Sequence, residues 1–452
     1  MSLTKVLVAN RGEIAVRVVR ACRALGIESV VAVSEVDRDT LAARLADGAV
    51  CIGPSRAASS YLNSNAVLAA ALGTGADAVH PGYGFLAENA SFAQACEDNG
   101  LRFVGPRSET VRTMGNKLAA REVARIYGVP LVPGSDRVAT YQDAQEVAER
   151  IGYPALLKAA AGGGGRGIRI VRQSSELEEA FRSAAGEADA AFGDPTLYLE
   201  RYVTVGRHIE VQVFGDRHGN VVHLGERDCS LQRRFQKVVE EAPAAMIPDK
   251  ARAAIRESAI LIAEGIGYEN AGTVEFIYDE ERDQHYFLEM NTRIQVEHPV
   301  TEMITGLDLV QMQLEVAAGE PLSLAQSQVS FTGHAIECRI TAESPENDFR
   351  PSPGRITRWQ PPEGAGVRLD THCYEGYTVP PFYDSLLAKL ITHGRDRTEA
   401  LERMRAALRQ FEVDGVATSI PFLSWLFEQP DVQSGRFSTR WLESHLSSFR
   451  PR

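Results

Sequence analysis

The stretch Gly272-Thr273-Val274-Glu275-Phe276-Ile277-Tyr278, a charged turn over residues 279–283, and Tyr286-Phe287-Leu288-Glu289-Met290-Asn291-Thr292-Arg293-Ile294-Gln295-Val296-Glu297 reads as a β-hairpin with a long second arm. A turn centred on Arg282 sets Glu275 opposite Glu289. Val274, Phe276 and Tyr278 then share the other face with Met290, Leu288 and Tyr286, and a one-residue slip would put apolar side chains opposite polar ones. Two facing carboxylates repel. A divalent cation removes that conflict, because magnesium takes hard oxygen ligands, commonly one or two carboxylates plus nucleotide phosphates. Asn291 adds a carbonyl oxygen on the same face. In extended chain alternate residues share a face, so Glu289, Asn291, Arg293, Gln295 and Glu297 form one polar comb while Ile294 and Val296 point away. A solvated sheet face would also alternate. This one instead offers metal ligands, then an anion clamp, then a carboxylate base.

Upstream, residues 154–158 read as an apolar strand, followed by Ala161-Gly162-Gly163-Gly164-Gly165-Arg166-Gly167 and a second strand over 168–171. A P-loop would need GxxxxGK[ST] running into a helix, which is absent. Flexible linkers lack tight strands on both sides. The pattern suits a lid whose backbone N–H groups close over phosphate oxygens. Lys117, Lys158 and Lys237 each read alone as surface lysines, but Lys158 ends an apolar strand, where a point charge needs a partner. On a strand over 334–340, Ala335, Glu337 and Arg339 alternate with Ile336, Cys338 and Ile340. Spacing leaves Arg339 open as half of an ion pair with Glu337 or another acid, or as a site arginine.

The chain opens as βαβ: a strand over 5–9, a helix over 12–25 with Ile14, Val18, Cys22 and Leu25 in step, and a strand over 30–34. Alternation to about residue 105 predicts a doubly wound parallel sheet. The turn Asn10-Arg11-Gly12-Glu13 is not GxGxxG. The turn-rich loop from His80 to Asn89 follows a strand over 76–79, where such sheets place a crevice. From about residue 330 short strands and prolines mark a different region, then a helix over 398–411 with Leu401, Met404, Ala407 and Leu408 on one face. With 452 residues, the chain has room for about three domains. Its 48 basic and 60 acidic residues, net −12, oppose binding to a phosphate backbone, so no nucleic-acid partner is expected. No window approaches a membrane span, and no leader is visible. The six scattered cysteines predict free thiols in the cytoplasm, and without HExxH a zinc site is not expected.

Ala9-Asn10-Arg11-Gly12-Glu13-Ile14-Ala15, His80-Pro81-Gly82-Tyr83-Gly84, the loop 162–167, Glu226-Arg227-Asp228-Cys229-Ser230, and residues 289–299 and 333–340 together resemble biotin carboxylase, an ATP-grasp family, over essentially the full length. The resemblance implies an α/β and α+β architecture: a Rossmann-like, pre-ATP-grasp domain at 1–113, an ATP-grasp domain at 114–330 with a mobile lid at about 132–203, and a mixed C-terminal domain at 331–447. By position it implies ATP contacts at Lys117, Lys158, Gly164, Gly165, Glu200, Val203 and His208, with Lys237, Glu275 and Glu289 also bordering the nucleotide. It implies magnesium or manganese on Glu275, Glu289 and Asn291. Lys237, Arg293, Gln295 and Val296 match a bicarbonate cradle, Glu297 the general base and Arg339 the group facing the biotin ureido oxygen. The implied reaction carboxylates biotin on a carrier protein through carboxyphosphate, for an acetyl-CoA, other acyl-CoA or pyruvate carboxylase. The implied partners are a biotin carboxyl carrier protein, a carboxyltransferase subunit, and a second copy of the chain in a homodimer. No Met-Lys-Met biotin attachment motif occurs, and no length remains for a transferase. Another ATP-grasp ligase would share Glu275 and Glu289 without a reason for Arg293, Glu297 and Arg339 together. A nucleotide-binding module without turnover is favoured only by Phe235, which stands where the family often has histidine.

Overall fold

The apolar run Val6-Leu7-Val8 lies within the strand Lys5–Val8, which is paired in parallel on both sides. It belongs to a five-stranded sheet in the order Gly48–Gly53, Glu28–Ser34, Lys5–Val8, Ala78–His80, Arg102–Phe103. The computed structural model describes residues 3–160 and 168–450. The helix Gly12–Ala24 buries Ile14, Val18 and Cys22 against this sheet, the face its spacing predicts. Two loops meet at the carboxyl edge of the sheet. Asn10 Nδ2 donates to the carbonyls of Pro81 (2.6 Å) and Tyr83 (2.7 Å). Gly82 has φ +61, and a Cβ there would lie 2.9 Å from Asn10 Nδ2, so the close approach needs glycine. This stitch carries Tyr83 and Glu88 toward the second part of the molecule.

That part is built on an eight-stranded antiparallel sheet in the order Gln284–Asn291, Asn270–Asp279, Gly206–Gly215, Val221–Arg233, Gln236–Ala242, His334–Thr341, Leu386–Gly394, Val367–Thr371. The last three strands come from beyond residue 330, so the sheet crosses without a break from one segment to the next. Helix Asp249–Gly265 covers part of one face with Ile255, Ala259 and Ile262. Helix Arg397–Gln410 packs Leu401, Met404, Ala407 and Leu408 on the far end. A three-stranded sheet, Ile168–Val171, Ala155–Ala159 and Leu197–Arg201, stands apart with helices Tyr141–Ile151 and Leu177–Phe192. Its first two strands pair antiparallel, Lys158 opposite Ile168, as a hairpin across the glycine loop requires. The loop itself, including Gly164 and Gly165, lies outside the described residues.

Two expectations need correction. Glu275 does face Glu289, but the register slips immediately beyond, so Phe276 faces Phe287 and Ile277 faces Tyr286. A bulge at Leu288 absorbs the extra residue. Leu288 therefore lines the cavity beside Glu289, and Phe287 takes the core position, its ring 6.4 Å from that of Phe276. The polar comb is also not extended throughout. The strand stops at Asn291, and residues 292–297 turn before the helix His298–Thr305. Ile294 is buried as expected, but Val296 borders the cavity instead of pointing away.

Candidate active site

One cavity of about 1040 Å³ lies between the eight-stranded sheet, the three-stranded sheet and the segment beyond residue 330. Lys117, Lys158, Glu200, Val203, His208, Lys237, Glu275, Glu289, Asn291, Arg293, Gln295, Val296, Glu297 and Arg339 all line it. They arrive from widely separated parts of the chain, and the loop 292–297 achieves by turning what strand alternation alone would not.

Glu275 is the hub. It accepts from Asn291 Nδ2 (2.9 Å), Gln295 Nε2 (2.8 Å) and Lys237 Nζ (2.9 Å), and His208 Nε2 stands 2.9 Å from its other oxygen. Burial would raise its pKa, but Lys237 and His208 outweigh that and hold it well below the usual carboxylate range. Glu289, directly opposite, has no ion-pair partner among the described residues. Its pKa is raised by burial and by the charge of Glu275. Two facing carboxylates, the buried Glu275 and the half-buried Glu289, with an adjacent amide oxygen, fit a hard divalent cation.

Lys237 also donates to Glu297 (2.6 Å) and to Glu210. Arg339 donates to Glu240 (2.8 Å) and to the second oxygen of Glu297 (3.1 Å). Arg339 is thus a cavity-facing arginine paired with acids other than Glu337. Burial would raise Glu297, yet Lys237, Arg339 and Arg227 hold it far below the usual range, as a carboxylate. Glu240 goes the other way: burial, with repulsion from Glu297, pushes it up to about 7 despite Arg339. Arg293 donates to Glu88 (2.8 Å) and to Asn291 Oδ1 (2.9 Å).

Sequence reasoning missed two organising residues. Arg227 is completely buried, and its guanidinium reaches Glu210, Gln212 (2.8 Å), Thr301 (2.9 Å), Thr273 (3.1 Å) and Gln295 (2.8 Å). It fixes Gln295 and Glu210 without touching the cavity. Glu88, from the turn-rich loop, accepts from Arg293 and from the Thr292 N–H (3.1 Å). The density of turn formers in that loop was the signal available for it.

At the other end, Lys158, one residue before the end of its strand, donates to Glu200 (2.6 Å), which also accepts from Arg121. Burial would lower Lys158, but Glu200 outweighs that and keeps it a cation. Lys117 opens the helix Lys117–Ile126, whose cap is the Asn116 side chain accepting from the Ala119 N–H. Its pKa is lowered by burial. His208 Nδ1 lies 3.1 Å from Gln232 Nε2. Phe235 sits on the rim, 59% exposed, at the tip of a two-residue turn in which Arg234 and Phe235 both have positive φ. Such angles are strained for bulky residues. Arg234 is held from outside by Asp348 (3.0 Å).

The cavity thus offers cation ligands, a cluster of buried cations, and an ionised carboxylate between a lysine and an arginine. Known proteins are similar to this chain along its whole length. The family model for the biotin carboxylase N-terminal domain matches residues 2–111, that for the carbamoyl-phosphate synthase L chain ATP binding domain residues 116–325, and that for the biotin carboxylase C-terminal domain residues 337–444. Biotin carboxylase 1 of Bacillus subtilis is 51% identical over 444 residues, 98% of this chain and 99% of the relative. Biotin carboxylase of Haemophilus influenzae is 52% identical over 446 residues, with coverage of 98% and 99%. The crystal structure of a Campylobacter jejuni biotin carboxylase complex superimposes with a TM-score of 0.95 at 46% identity, covering 98% of this chain and 99% of that one. A biotin carboxylase domain dimer of the Hydrogenobacter thermophilus 2-oxoglutarate carboxylase, with MgADP, ADP and bicarbonate, gives 0.94 at 49% identity and covers 98% of each chain.

Proposed function

The chain belongs to the biotin carboxylase family, and from that premise we propose that it carboxylates biotin on a separate carrier protein, using ATP and bicarbonate and passing through carboxyphosphate. The observation that carries this reading is the ionised Glu297 held between Lys237 and Arg339, a base flanked by two cations in a cavity that also contains a metal-ligand pair.

Bicarbonate is a weak nucleophile until it loses its proton. Glu297 takes that proton, while Lys237, Arg293, Gln295 and the Val296 backbone cradle the anion. Bicarbonate entering there draws Lys237 and Arg293 from their present acids, which releases Glu297 toward a higher basicity. Lys117, Lys158 and His208, with Glu200, Val203, Gly164 and Gly165, bind ATP, and the lysines offset charge on the transferring phosphoryl group. Glu275, Glu289 and Asn291 would hold magnesium or manganese, which supplies a further positive charge against the phosphate oxygens. Carboxyphosphate then releases CO2 beside biotin. The phosphate left behind takes the ureido nitrogen's proton, the charge that builds on the ureido oxygen is stabilised by Arg339, cationic at any working pH, and the nitrogen then bonds the carbon of CO2.

The same reading gives the chain a carboxyltransferase partner, since one relative, from Methanothermobacter thermautotrophicus and 48% identical over 443 residues, is named as one of the subunits of a pyruvate carboxylase. A homodimer is supported by the dimeric Hydrogenobacter thermophilus domain. A cytoplasmic location is supported by six free cysteines, five of them buried. Phosphate release from ATP tests the reaction. It should require bicarbonate, rise with free biotin and stop on chelation of divalent cations; release indifferent to bicarbonate and biotin refutes the assignment.

A further inference from the structure

The loop 292–297 carries Arg293, Gln295, Val296 and Glu297, yet it is neither strand nor helix. Its backbone must therefore be held by something else. Its first N–H, on Thr292, goes to Glu88, and the Gln295 carbonyl accepts from the His298 N–H (3.3 Å) and lies 2.8 Å from His298 Nδ1. The Val296 carbonyl has no such local donor, because the residue three positions on is Pro299, which lacks an N–H. Among the described residues its one hydrogen-bond donor is Lys389 Nζ, at 2.9 Å.

Lys389 comes from the strand Leu386–Gly394, across the ladder from Arg339. Its side chain is completely buried and does not line the cavity. It is anchored by Glu13 Oε1 (3.1 Å), from the first helix, with Asp370 at 3.7 Å. Glu13 also accepts from the Tyr83 hydroxyl, and Asp370 is held by two bonds of 2.8 Å from Arg368. Burial would lower Lys389, but Glu13, Asp370 and Glu337 outweigh it, so it remains a cation.

We propose that Lys389, held by Glu13, is a positioning residue that fixes the Val296 carbonyl and so sets the placement of the anion-binding loop and of Glu297. This deepens the function proposed above and rests on it. The two anchors belong to the first and last segments of the chain, so the bicarbonate end of the site takes its shape from parts of the molecule that do not touch bicarbonate.

The test is steady-state kinetics of bicarbonate-dependent phosphate release on the full chain. Lys389→Met alone leaves Glu13 buried without its cation, a cost large enough to endanger the fold by itself. Glu13→Gln/Lys389→Met removes both charges, keeps an acceptor for Tyr83, and leaves Asp370 with Arg368. The double variant should raise KM for bicarbonate about tenfold or more, as loss of a charged hydrogen bond to the loop implies, with KM for ATP within about twofold. Bicarbonate KM at the unsubstituted value, or both KM values raised in proportion, overturns the positioning role. A parent enzyme whose phosphate release ignores bicarbonate overturns the function instead, which keeps the two failures apart.

Discussion

Arg339→Met separates the two halves of the proposed reaction. Arg339 bonds Glu240 and Glu297, and its side chain is 21% exposed, enough to meet a substrate entering the cavity. Removing a preorganised cation from a developing oxyanion costs about 10²–10³ in rate, roughly 3–4 kcal/mol. That loss should fall on carboxylation of free biotin. Cleavage of ATP with bicarbonate should fall by less than about tenfold, because Glu297 keeps Lys237 at 2.6 Å and the field of Arg227. The fold should survive. Breaking a buried ion pair from one side costs about 3–5 kcal/mol when the stranded charge persists. Glu240, already pushed up to about 7, escapes most of it by taking a proton. Its folded pKa lies above the unfolded value of about 4.3, so the folded state holds the extra proton. Stability is then lost as pH rises through the folded pKa, and the variant should melt lower, relative to the parent, at pH 9 than at pH 6. Phosphate release and fixation of labelled bicarbonate, measured side by side, decide the matter. Equal losses in both would refute the role given to Arg339.

Lys158→Met removes the cation 2.6 Å from Glu200, at the far end of the cavity from Glu297. KM for ATP should rise about tenfold with bicarbonate KM within about twofold; a shift in bicarbonate KM instead would place Lys158 wrongly. Acid should also destabilise the protein through its buried histidines. His80 and His372 are both pushed down to about 3, chiefly by burial, and His298 is held well below its usual range by burial and by Lys389. Unfolded histidine titrates near about 6.5, so the unfolded state gains protons first as pH falls. Their contribution to stability is intact above that value and lost on the way down. Calorimetric Tm should drop between pH 7 and pH 4, and a flat Tm would contradict the buried neutral state.

The parallel sheet, the hairpin across the glycine loop and the Glu275–Glu289 pairing were readable because each rests on local periodicity. Gly12–Ala24 buries the side chains its spacing selects, and Glu275 meets Glu289 because the charged turn sets the register there. The bulge at Leu288 was not readable, since Leu288 and Phe287 suit a core position equally well by type and only packing against Phe276 chooses Phe287. The break after Asn291 escaped for a related reason: alternating polarity through Glu297 satisfies strand periodicity, and the competing helix start at His298-Pro299 carries no period of its own. Arg227 and Lys389 are the harder cases. Each is a charged residue in a strand, indistinguishable by spacing from a solvated one. Their burial depends on partners scattered from Glu13 to Asp370.

Four cations of the cavity do not wait unpaired. Lys158 rests on Glu200 at 2.6 Å, Lys237 on Glu297 at 2.6 Å, Arg293 on Glu88 at 2.8 Å and Arg339 on Glu240 at 2.8 Å. An arriving anion therefore displaces a resident carboxylate, as a counterion does on an ion-exchange resin. What selects the substrate is the difference between two pairings, and a chain of net charge −12 can admit anions without first presenting them a bare positive surface.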